Sequence, residues 1–340
     1  MGRAAGRDPE LLSRALDRRT FLRAALGASA AGAAAWAFGC ASGGGTHPPT
    51  ATPGSAGSPA PSGSPSGAAM TPELLTSEYV AGQPNRFAVG LIANGNELVR
   101  NADVHLKFYT IGADGKTGTF RGEGDATYYE LNQPGAHEHD QSTGAQVDIE
   151  SIGFYVVNTP FDVAGKWGAQ IDATPRDGSP PAHVEPLFDV LDKPKTPALG
   201  TVPPASQNDT FATNPDTASL CSRQPACPLH DKVIADVLGK GRPLVVQFST
   251  PAFCTSRFCG PVLEVLLQQV PAYQDKMDFI HIEVWQDFQL QKYRPAVQEW
   301  NLPSEPYMFL MDGAGKVVGK LESIFAEEEL KDALDRLAAT

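Results

Sequence analysis

The chain has 340 residues and a formal net charge of -12 at pH 7, with 39 acidic and 27 basic side chains. That length is enough for two domains with leader and linker segments. The acidic balance argues against a nucleic-acid partner, because binding phosphates needs clustered Lys and Arg, and no such cluster occurs beyond residues 1–39. The five cysteines are few, so their positions are the informative feature.

Residues 1–39 are organised like an export signal. A basic segment, Arg18-Arg19-Thr20-Phe21-Leu22, precedes a run of small and apolar residues that ends at Gly39. A charged region, a short apolar region and small residues before a cleavage point are typical of signal peptides. The Arg-Arg-x-Phe-Leu core resembles the bacterial twin-arginine signal. A plain Sec signal is the alternative, but Phe21 and Leu22 favour the twin-arginine route.

Cys40 follows Ala37-Phe38-Gly39, which resembles a lipoprotein cleavage box. The resemblance implies acylation of Cys40 and a lipid anchor at the outer face of the bacterial cytoplasmic membrane. The other four cysteines fall into two local pairs, which leaves Cys40 without a partner. Bulky Phe38 departs from the lipoprotein pattern, and a free or removed cysteine is the alternative.

Residues 40–71 are predicted to be a tether. They consist almost entirely of Ala, Ser, Gly, Pro and Thr. Such a stretch buries too little apolar area to offset the entropy lost on ordering it. We expect it to hold the folded part away from the membrane surface.

Residues 72–192 are predicted to form an all-β domain. Val104, Leu106 and Phe108 alternate with more polar neighbours, which is the period-two pattern of a half-buried strand. Several short strands with frequent turns indicate an immunoglobulin-like sandwich that serves as a binding or spacer module. The predicted strands are 86–93, 103–110, 153–158, 166–173 and 183–190.

One cluster in this domain has metal-binding side chains, His137-Glu138-His139-Asp140. Imidazoles and carboxylates can ligate a transition metal. However, alternate residues of a strand point to opposite faces, and the flanking Gly135 and Gly144 indicate a loop. We therefore predict a solvated loop without a metal here.

A proline-rich connector at residues 193–217 leads to residues 218–340, in which helix and strand patterns alternate. Predicted strands cover 244–248, 279–285, 307–311 and 317–321. Predicted helices cover 231–239, 261–272, 289–300 with a kink at Pro295, and 325–339. From residue 244 the order is strand-helix-strand-helix-strand-strand-helix. This order resembles the thioredoxin fold, which implies an α/β thioredoxin-like domain behind the sandwich.

The resemblance becomes specific at Cys254. Thioredoxin-like proteins carry a reactive cysteine after the first core strand, at the start of the next helix, and a cis-proline before the hairpin strand. Cys254 and Pro306 occupy these places. The resemblance implies that Cys254 attacks, that Cys259 resolves and that Pro306 is cis. The implied activity is extracytoplasmic thiol–disulfide exchange without a cofactor, with other exported thiol or disulfide proteins or a membrane redox protein as partners.

The residues support this chemistry in part. A helix N-terminus stabilises a thiolate, and Arg257 would add to that effect. The family pattern is Cys-x-x-Cys, whereas four residues separate Cys254 from Cys259. Positions five apart lie about 140° apart around a helix, so Cys254 must precede the helix, with Pro261 at its first position.

Two other interpretations of this site stay open. Cys259-Gly260-Pro261 can be aligned as the motif with its second cysteine lost, and the pair can be a structural disulfide on an inactive scaffold. Glu305, directly before Pro306, would repel a thiolate and raise its pKa.

Cys221 and Cys227 form the second pair. In an oxidising compartment a loop-closing disulfide is expected, and an accessory redox pair that exchanges with Cys254 and Cys259 is the alternative. A third interpretation is copper binding, as in copper-delivery relatives of the thioredoxin fold. Its ligands would be Cys227 and His230 with one active-site cysteine, or Cys254, Cys259, His230 and His281, because soft thiolates and imidazoles suit Cu(I). His281 lies in a predicted core strand, where a packed core residue is the simpler interpretation.

Overall fold

The computed structural model describes residues 70–94, 97–115, 118–132, 137–139, 146–148, 151–254 and 258–340. The predicted leader, the tether up to residue 69 and Cys40 lie outside these residues, as do Asp140 and Arg257. The described part is rich in β-structure and contains several sheets. None of its helices has the length and apolar character needed to cross a bilayer.

Within the described residues, thirteen strands precede the first helix. They are β1 Met70–Leu74, β2 Tyr79–Val80, β3 Pro84–Ala93, β4 Glu97–Leu98, β5 Ala102–Ile111, β6 Gly118–Asp125, β7 Thr127–Leu131, β8 His137–His139, β9 Gln146–Asp148, β10 Ile152–Pro160, β11 Gly165–Pro175, β12 Ala182–Val184 and β13 Leu187–Leu191. One sheet has the order β1-β3-β10-β7, with β4 beside β3. The other has the order β2-β13-β11-β5-β6, with β12 beside β11. Their pairs are antiparallel, except that β2 and β13 are parallel.

The two sheets pack on each other around an aromatic core. The ring of Phe161 lies 4.8 Å from Trp167, 5.5 Å from Phe108 and 5.4 Å from Phe188, centroid to centroid. All four side chains are buried. Rings at these separations contribute attraction beyond the burial of their area. This core holds the first two sheets together.

Two predictions for this part were wrong. Residues 183–190 do not form one strand, because Pro186 has no N–H to donate and the ladder along β11 is interrupted there. The expected loop at His137 is a strand, since β8 pairs with β9 in an antiparallel hairpin.

The C-terminal part contains a four-stranded sheet of β14 Leu244–Ser249, β15 Asp278–Glu283, β18 Tyr307–Met311 and β19 Val317–Glu322. Its order is β15-β14-β18-β19, with β14 parallel to β15 and the other pairs antiparallel. A short hairpin, β16 Trp285–Asp287 with β17 Lys292–Tyr293, follows β15. The three strands β14, β15 and β18 are buried along their whole length, as expected for a sheet covered on both faces.

Five helices accompany this sheet in the described residues. They are α1 Thr217–Leu220, α2 Ile234–Val237, α3 Cys259–Tyr273, α4 Pro295–Glu299 and α5 Glu327–Ala338. The predicted helix at 289–300 was too long, because β17 occupies its first half. Pro295 does not kink a helix but begins α4, where its missing N–H has no intrahelical partner to lose.

The first sheet and the C-terminal part share one apolar cluster. Ala88, Phe154 and Val156 of the sandwich belong to the same buried cluster as Phe325 and Leu330 of the C-terminal part. Strand β3 is therefore buried on both faces, since Phe87 and Val89 face the sandwich core. The two predicted domains, residues 72–192 and 218–340, are joined by a common core.

A buried ion pair crosses the same contact. Arg86 on β3 donates from Nε to Glu329 Oε1 at 2.5 Å and from Nη2 to Glu329 Oε2 at 2.9 Å. The Arg86 and Glu329 side chains are only 11% and 13% exposed. Nη2 also donates to the carbonyl of Ile324 at 2.7 Å. Removal of one partner would leave the other charge buried without compensation.

We expect Arg86→Ala to lower the free energy of unfolding by about 3 kcal/mol, because the Glu329 carboxylate loses its partner. Urea unfolding followed by circular dichroism measures this change. Arg176→Ala is the matched control: Arg176 also binds a carboxylate, Asp103, but both side chains are exposed, so its midpoint should not move. Equal midpoints for Arg86→Ala and Arg176→Ala would contradict the role of the buried pair.

Candidate functional site

Cys254 and Cys259 are joined in a disulfide, with their Cα atoms 5.9 Å apart. Cys254 lies in the loop after β14, ahead of the helix, and Cys259 is the first residue of α3. Cys254 is partly exposed, whereas Cys259 is fully buried. Cys254 is therefore the more accessible residue of the pair.

Cys259 is the first residue of α3, so its side chain belongs to the helical turn whose backbone N–H groups are free of intrahelical bonds. The helix has 15 residues, and its first-turn N–H groups have no intrahelical acceptors. Pro261 is the third helical residue and not the first, as the sequence had suggested, but it still falls where no intrahelical N–H bond is lost. The positive end of the helix dipole favours negative charge on Cys259 when the disulfide opens.

Glu305 lies beside the disulfide. Its Oε2 is 3.6 Å from Cys259 Sγ, and its Oε1 accepts a hydrogen bond from Trp285 Nε1 at 3.0 Å. Burial raises the pKa of Glu305, although the indole N–H of Trp285 opposes the rise. The Glu305–Pro306 peptide bond is cis. The site thus pairs a disulfide with a carboxyl group that holds its proton more tightly than an ordinary glutamate.

Aromatic side chains form an exposed patch next to Cys254. Phe253 and Phe288 stack with ring centroids 5.0 Å apart and are 49% and 40% exposed. Trp285 packs against Phe288 at 5.6 Å and against Tyr293 at 4.3 Å. We call Phe253, Trp285, Phe288 and Tyr293 the aromatic patch. Trp285 connects this patch to Glu305 through its indole N–H.

A second cluster consists of Cys221, Cys227, His230 and His281. All four are buried, and one potential ligand atom from each lies within 4.8 Å of the other three. His281 Nδ1 is 3.7 Å from Cys221 Sγ, 3.3 Å from Cys227 Sγ and 3.1 Å from His230 Nε2. Side chains of this kind in this arrangement are able to bind a metal ion.

The main chain explains how this cluster assembles. Strand β15 is at the edge of its sheet, and a backbone hydrogen bond links it to the segment that ends at His230. The N–H of His281 donates to the carbonyl of Leu229 at 2.9 Å. That pairing sets the cysteines and His230 over the His281 ring.

Hydrogen bonds orient the cluster from outside. His281 Nε2 lies 2.9 Å from Ser249 Oγ and 3.1 Å from the Ser249 carbonyl. The N–H of Cys227 donates to Cys221 Sγ at 3.5 Å. A side-chain hydrogen bond between the two thiols lowers the pKa of Cys221, and the same thiol–thiol contact together with burial raises the pKa of Cys227. Burial lowers the pKa of His230, which favours a neutral ring.

The structure corrects two expectations about these residues. The Cys221–Cys227 disulfide is not formed, since both thiols are free. The proposed copper ligands Cys254, Cys259, His230 and His281 are divided: the histidines meet Cys221 and Cys227, whereas Cys254 and Cys259 are bonded to each other beside Glu305. The sequence analysis missed Cys221 as a partner of the histidines, although the Cys221-x5-Cys227-x2-His230 spacing was a usable signal.

Comparisons with known proteins identify no family. No family model and no curated protein matches the chain. Among solved structures, a DUF4426 family protein from Pseudomonas aeruginosa is similar at 9% identity, over 33% of this chain and 76% of that chain. Its TM-score of 0.18 is too low to indicate a shared fold or function.

The environment of Glu305 generates a pH prediction. Its pKa is raised in the folded protein, so its stabilising contribution is complete below the unfolded-state pKa and is lost as the pH rises through the native pKa. We expect the unfolding free energy of the oxidised wild type, relative to Glu305→Gln, to fall across this interval. The fall is about 1.4 kcal/mol for each tenfold difference in proton affinity between the two states. Urea titrations at a series of pH values measure it. A difference that increases with pH would contradict the burial of this carboxyl.

Proposed function

We propose that the C-terminal part is a thioredoxin-like thiol–disulfide oxidoreductase in which Cys254 exchanges with the substrate and Cys259 resolves. The observation that carries the proposal is the unequal exposure of the two cysteines at the start of α3: Cys254 is partly exposed, whereas Cys259 is buried beside Glu305. The strand order β15-β14-β18-β19, with a parallel β14–β15 pair joined through α3, supports a thioredoxin-like core.

The proposed exchange takes place in two steps. A substrate thiolate attacks Cys254 Sγ, the bond between Cys254 and Cys259 breaks, and Cys259 leaves as a thiolate that takes a proton. A second substrate thiolate then attacks the substrate sulfur of the mixed disulfide and releases Cys254 as a thiolate. Two substrate thiols become one disulfide, and the protein disulfide becomes two thiols. The reverse sequence reduces a substrate disulfide.

Glu305 is placed to handle the proton of Cys259. In the oxidising direction its carboxylic acid protonates the leaving thiolate, and in the reducing direction its carboxylate accepts the proton of the Cys259 thiol before that sulfur attacks. Its oxygen lies 3.6 Å from the sulfur, and its raised pKa brings it closer to that of a thiol. A closer match of donor and acceptor proton affinity makes such a transfer more efficient.

The aromatic patch supports a polypeptide partner. Exposed rings beside a reactive atom offer apolar area for docking, which a small thiol does not need. Phe253 is the residue directly before Cys254. We propose that a substrate protein covers the patch while its cysteine reaches Cys254.

The leader extends the proposal to a compartment. We propose that the twin-arginine-like segment exports the protein and that acylated Cys40 anchors it at the outer face of the cytoplasmic membrane. Its partners there are other exported thiol or disulfide proteins or a membrane redox protein. Thiol–disulfide exchange fits such a location, because exported proteins acquire and rearrange disulfides outside the cytoplasm.

Trapping of mixed disulfides tests the exchange. Cys259→Ser keeps the accessible sulfur and lacks the resolving thiol, so we expect it to accumulate a mixed disulfide with an oxidised peptide substrate. Cys254→Ser leaves only the buried sulfur and should form little of this adduct. Turnover should fall by about a thousandfold or more in both variants, because the two residues act as a unit. Intact-mass spectrometry and a dithiol–disulfide titration of the wild type measure these outcomes.

Two results would overturn the proposed oxidoreductase. One is a wild-type disulfide that glutathione or dithiothreitol buffers do not reversibly reduce. The other is equal trapping by the two single variants, which would show that exposure does not select Cys254.

Phe288→Ala tests the docking role of the aromatic patch. We expect kcat/KM for a protein substrate to fall about tenfold, equivalent to about 1.4 kcal/mol of lost contact, and turnover of glutathione to stay the same. Val318→Ala is the control, because Val318 on β19 is also exposed but lies outside the patch. Equal losses for the protein substrate and glutathione would point to a disturbed site in place of a lost docking surface.

A further inference from the structure

The Cys221, Cys227, His230 and His281 cluster has no part in the proposed exchange. Its two thiols are free, buried and not bonded to each other. Its two imidazoles are also buried, at 2% and 0% exposure for His230 and His281. Four groups with strong affinity for metals and no exposed surface need an occupant or a full set of mutual hydrogen bonds. His281 Nδ1 is near the other three ligand atoms, but a ring nitrogen makes a well-aligned hydrogen bond to only one partner at a time.

The separations match a single tetrahedral ion. Nitrogen and sulfur ligands bound to Zn²⁺ at about 2.0–2.3 Å lie about 3.3–3.8 Å from one another. The three contacts of His281 Nδ1 measure 3.1, 3.3 and 3.7 Å. A two-iron cluster does not fit, because its cysteines bind one iron and its histidines the other, whereas here one histidine nitrogen is close to both sulfurs.

The surroundings complete a metal site. A ligating histidine usually donates its other ring N–H to an oxygen, which fixes the ring, and His281 Nε2 lies 3.1 Å from the Ser249 carbonyl. The backbone N–H of Cys227 points at Cys221 Sγ. A cavity of about 250 Å³ borders His230 and His281 and includes Asp209 and Glu283 in its lining. Arg294 also lines this cavity and pairs with Asp209 at 3.2 Å, so the cavity brings a polar, charge-balanced space up to the two histidines.

We propose that Cys221, Cys227, His230 and His281 bind one structural Zn²⁺ ion. Four protein ligands leave no open position, which distinguishes a structural zinc site from a catalytic one. A tetrahedral set of two sulfurs and two nitrogens suits Zn²⁺ better than Cu(I), for which sites richer in sulfur are selective. The site shares no ligand with the proposed exchange at Cys254 and Cys259.

The ion would secure the segment that supports the redox loop. Ser222, next to Cys221, accepts a hydrogen bond from the N–H of Ala252 at 3.0 Å, two residues before Cys254. The Glu283 carboxylate in turn accepts hydrogen bonds from the backbone N–H of Ser222 at 2.7 Å and from the Ser222 hydroxyl at 3.1 Å. Zinc bound to Cys221 and His281 would therefore hold the Cys221–Ser222 segment against β15, and Ser222 contacts the loop that leads to Cys254.

Metal analysis of the purified protein tests the proposal. We expect one equivalent of zinc per chain, and cobalt substitution should produce the visible bands of tetrahedral Co²⁺ with sulfur-to-cobalt charge transfer. The Cys254→Ser/Cys259→Ser double variant is the matched control and should keep the full equivalent. His230→Ala/His281→Ala should lose it. Zinc lost from the Cys254/Cys259 variant but kept by the histidine variant would overturn the ligand assignment.

A labelling measurement on the unmutated protein avoids variants that fail to fold. Without reductant, Cys254 and Cys259 stay in their disulfide, and zinc should protect Cys221 and Cys227 from alkylation. A chelator should release one zinc and make two thiols reactive, and added Zn²⁺ should restore protection. A zinc-free protein with a Cys221–Cys227 disulfide would overturn the proposal, as would stoichiometric Cu(I) binding with no zinc or tetrahedral cobalt site.

Discussion

A backbone hydrogen bond between the 221–230 segment and the edge strand β15 underlies the arrangement of the site residues in the C-terminal part. An edge strand exposes unpaired N–H and C=O groups, and native proteins cover them. Here the N–H of His281 is satisfied by the carbonyl of Leu229. The same contact brings two cysteines and a second histidine onto the His281 ring. Through Ser222 and Ala252 it also supports the loop that leads to Cys254.

The two cysteine pairs differ because their surroundings differ. Cys254 and Cys259 lie where a loop meets the start of α3; Cys254 is partly exposed and a carboxyl group lies beside Cys259. Reversible bonding between sulfurs suits that place. Cys221 and Cys227 face two buried imidazoles and have no solvent access. A substrate cannot reach these buried sulfurs, and their neighbours are imidazole nitrogens. Metal coordination is therefore the chemistry that we propose for them.

Burial on both faces of β3 joins the sandwich to the C-terminal part. Phe87 and Val89 fill the sandwich core, whereas Ala88 enters the cluster shared with the C-terminal part. Arg86 adds a charged contact to Glu329 at the margin. A spacer module attached only by a linker would not need this arrangement. Because the contact is apolar and includes a buried ion pair, unfolding of one part removes support from the other.

Local sequence patterns were sufficient for the elements with strong periodicity. The strand at 307–311 has the predicted bounds, and α3 begins two residues before the predicted start. β6 and β7 were missed. The glycines and exposed positions of β6 weaken its alternation, and most of β7 is only partly buried. The place of Cys254 after β14 was also readable, since a strand followed by a helix start is a local feature. The position of Glu305 beside Cys259 followed only from the resemblance, which places Pro306, and with it Glu305, near the cysteines.

The sequence by itself determined which residues are able to do chemistry, namely four cysteines and two histidines in residues 218–340. Only the tertiary structure decided how they are grouped. Spacing along the chain favoured a Cys221–Cys227 disulfide, which is not formed. The copper alternative combined the histidines with Cys254 and Cys259, or Cys227 and His230 with one of them, and only its Cys227–His230 and His230–His281 groupings occur. His281 lies 51 residues from His230 and 60 from Cys221, and they meet because backbone pairing along an edge strand places them together. Such pairing depends on which strand is left at the edge of the sheet, and no local pattern contains that information.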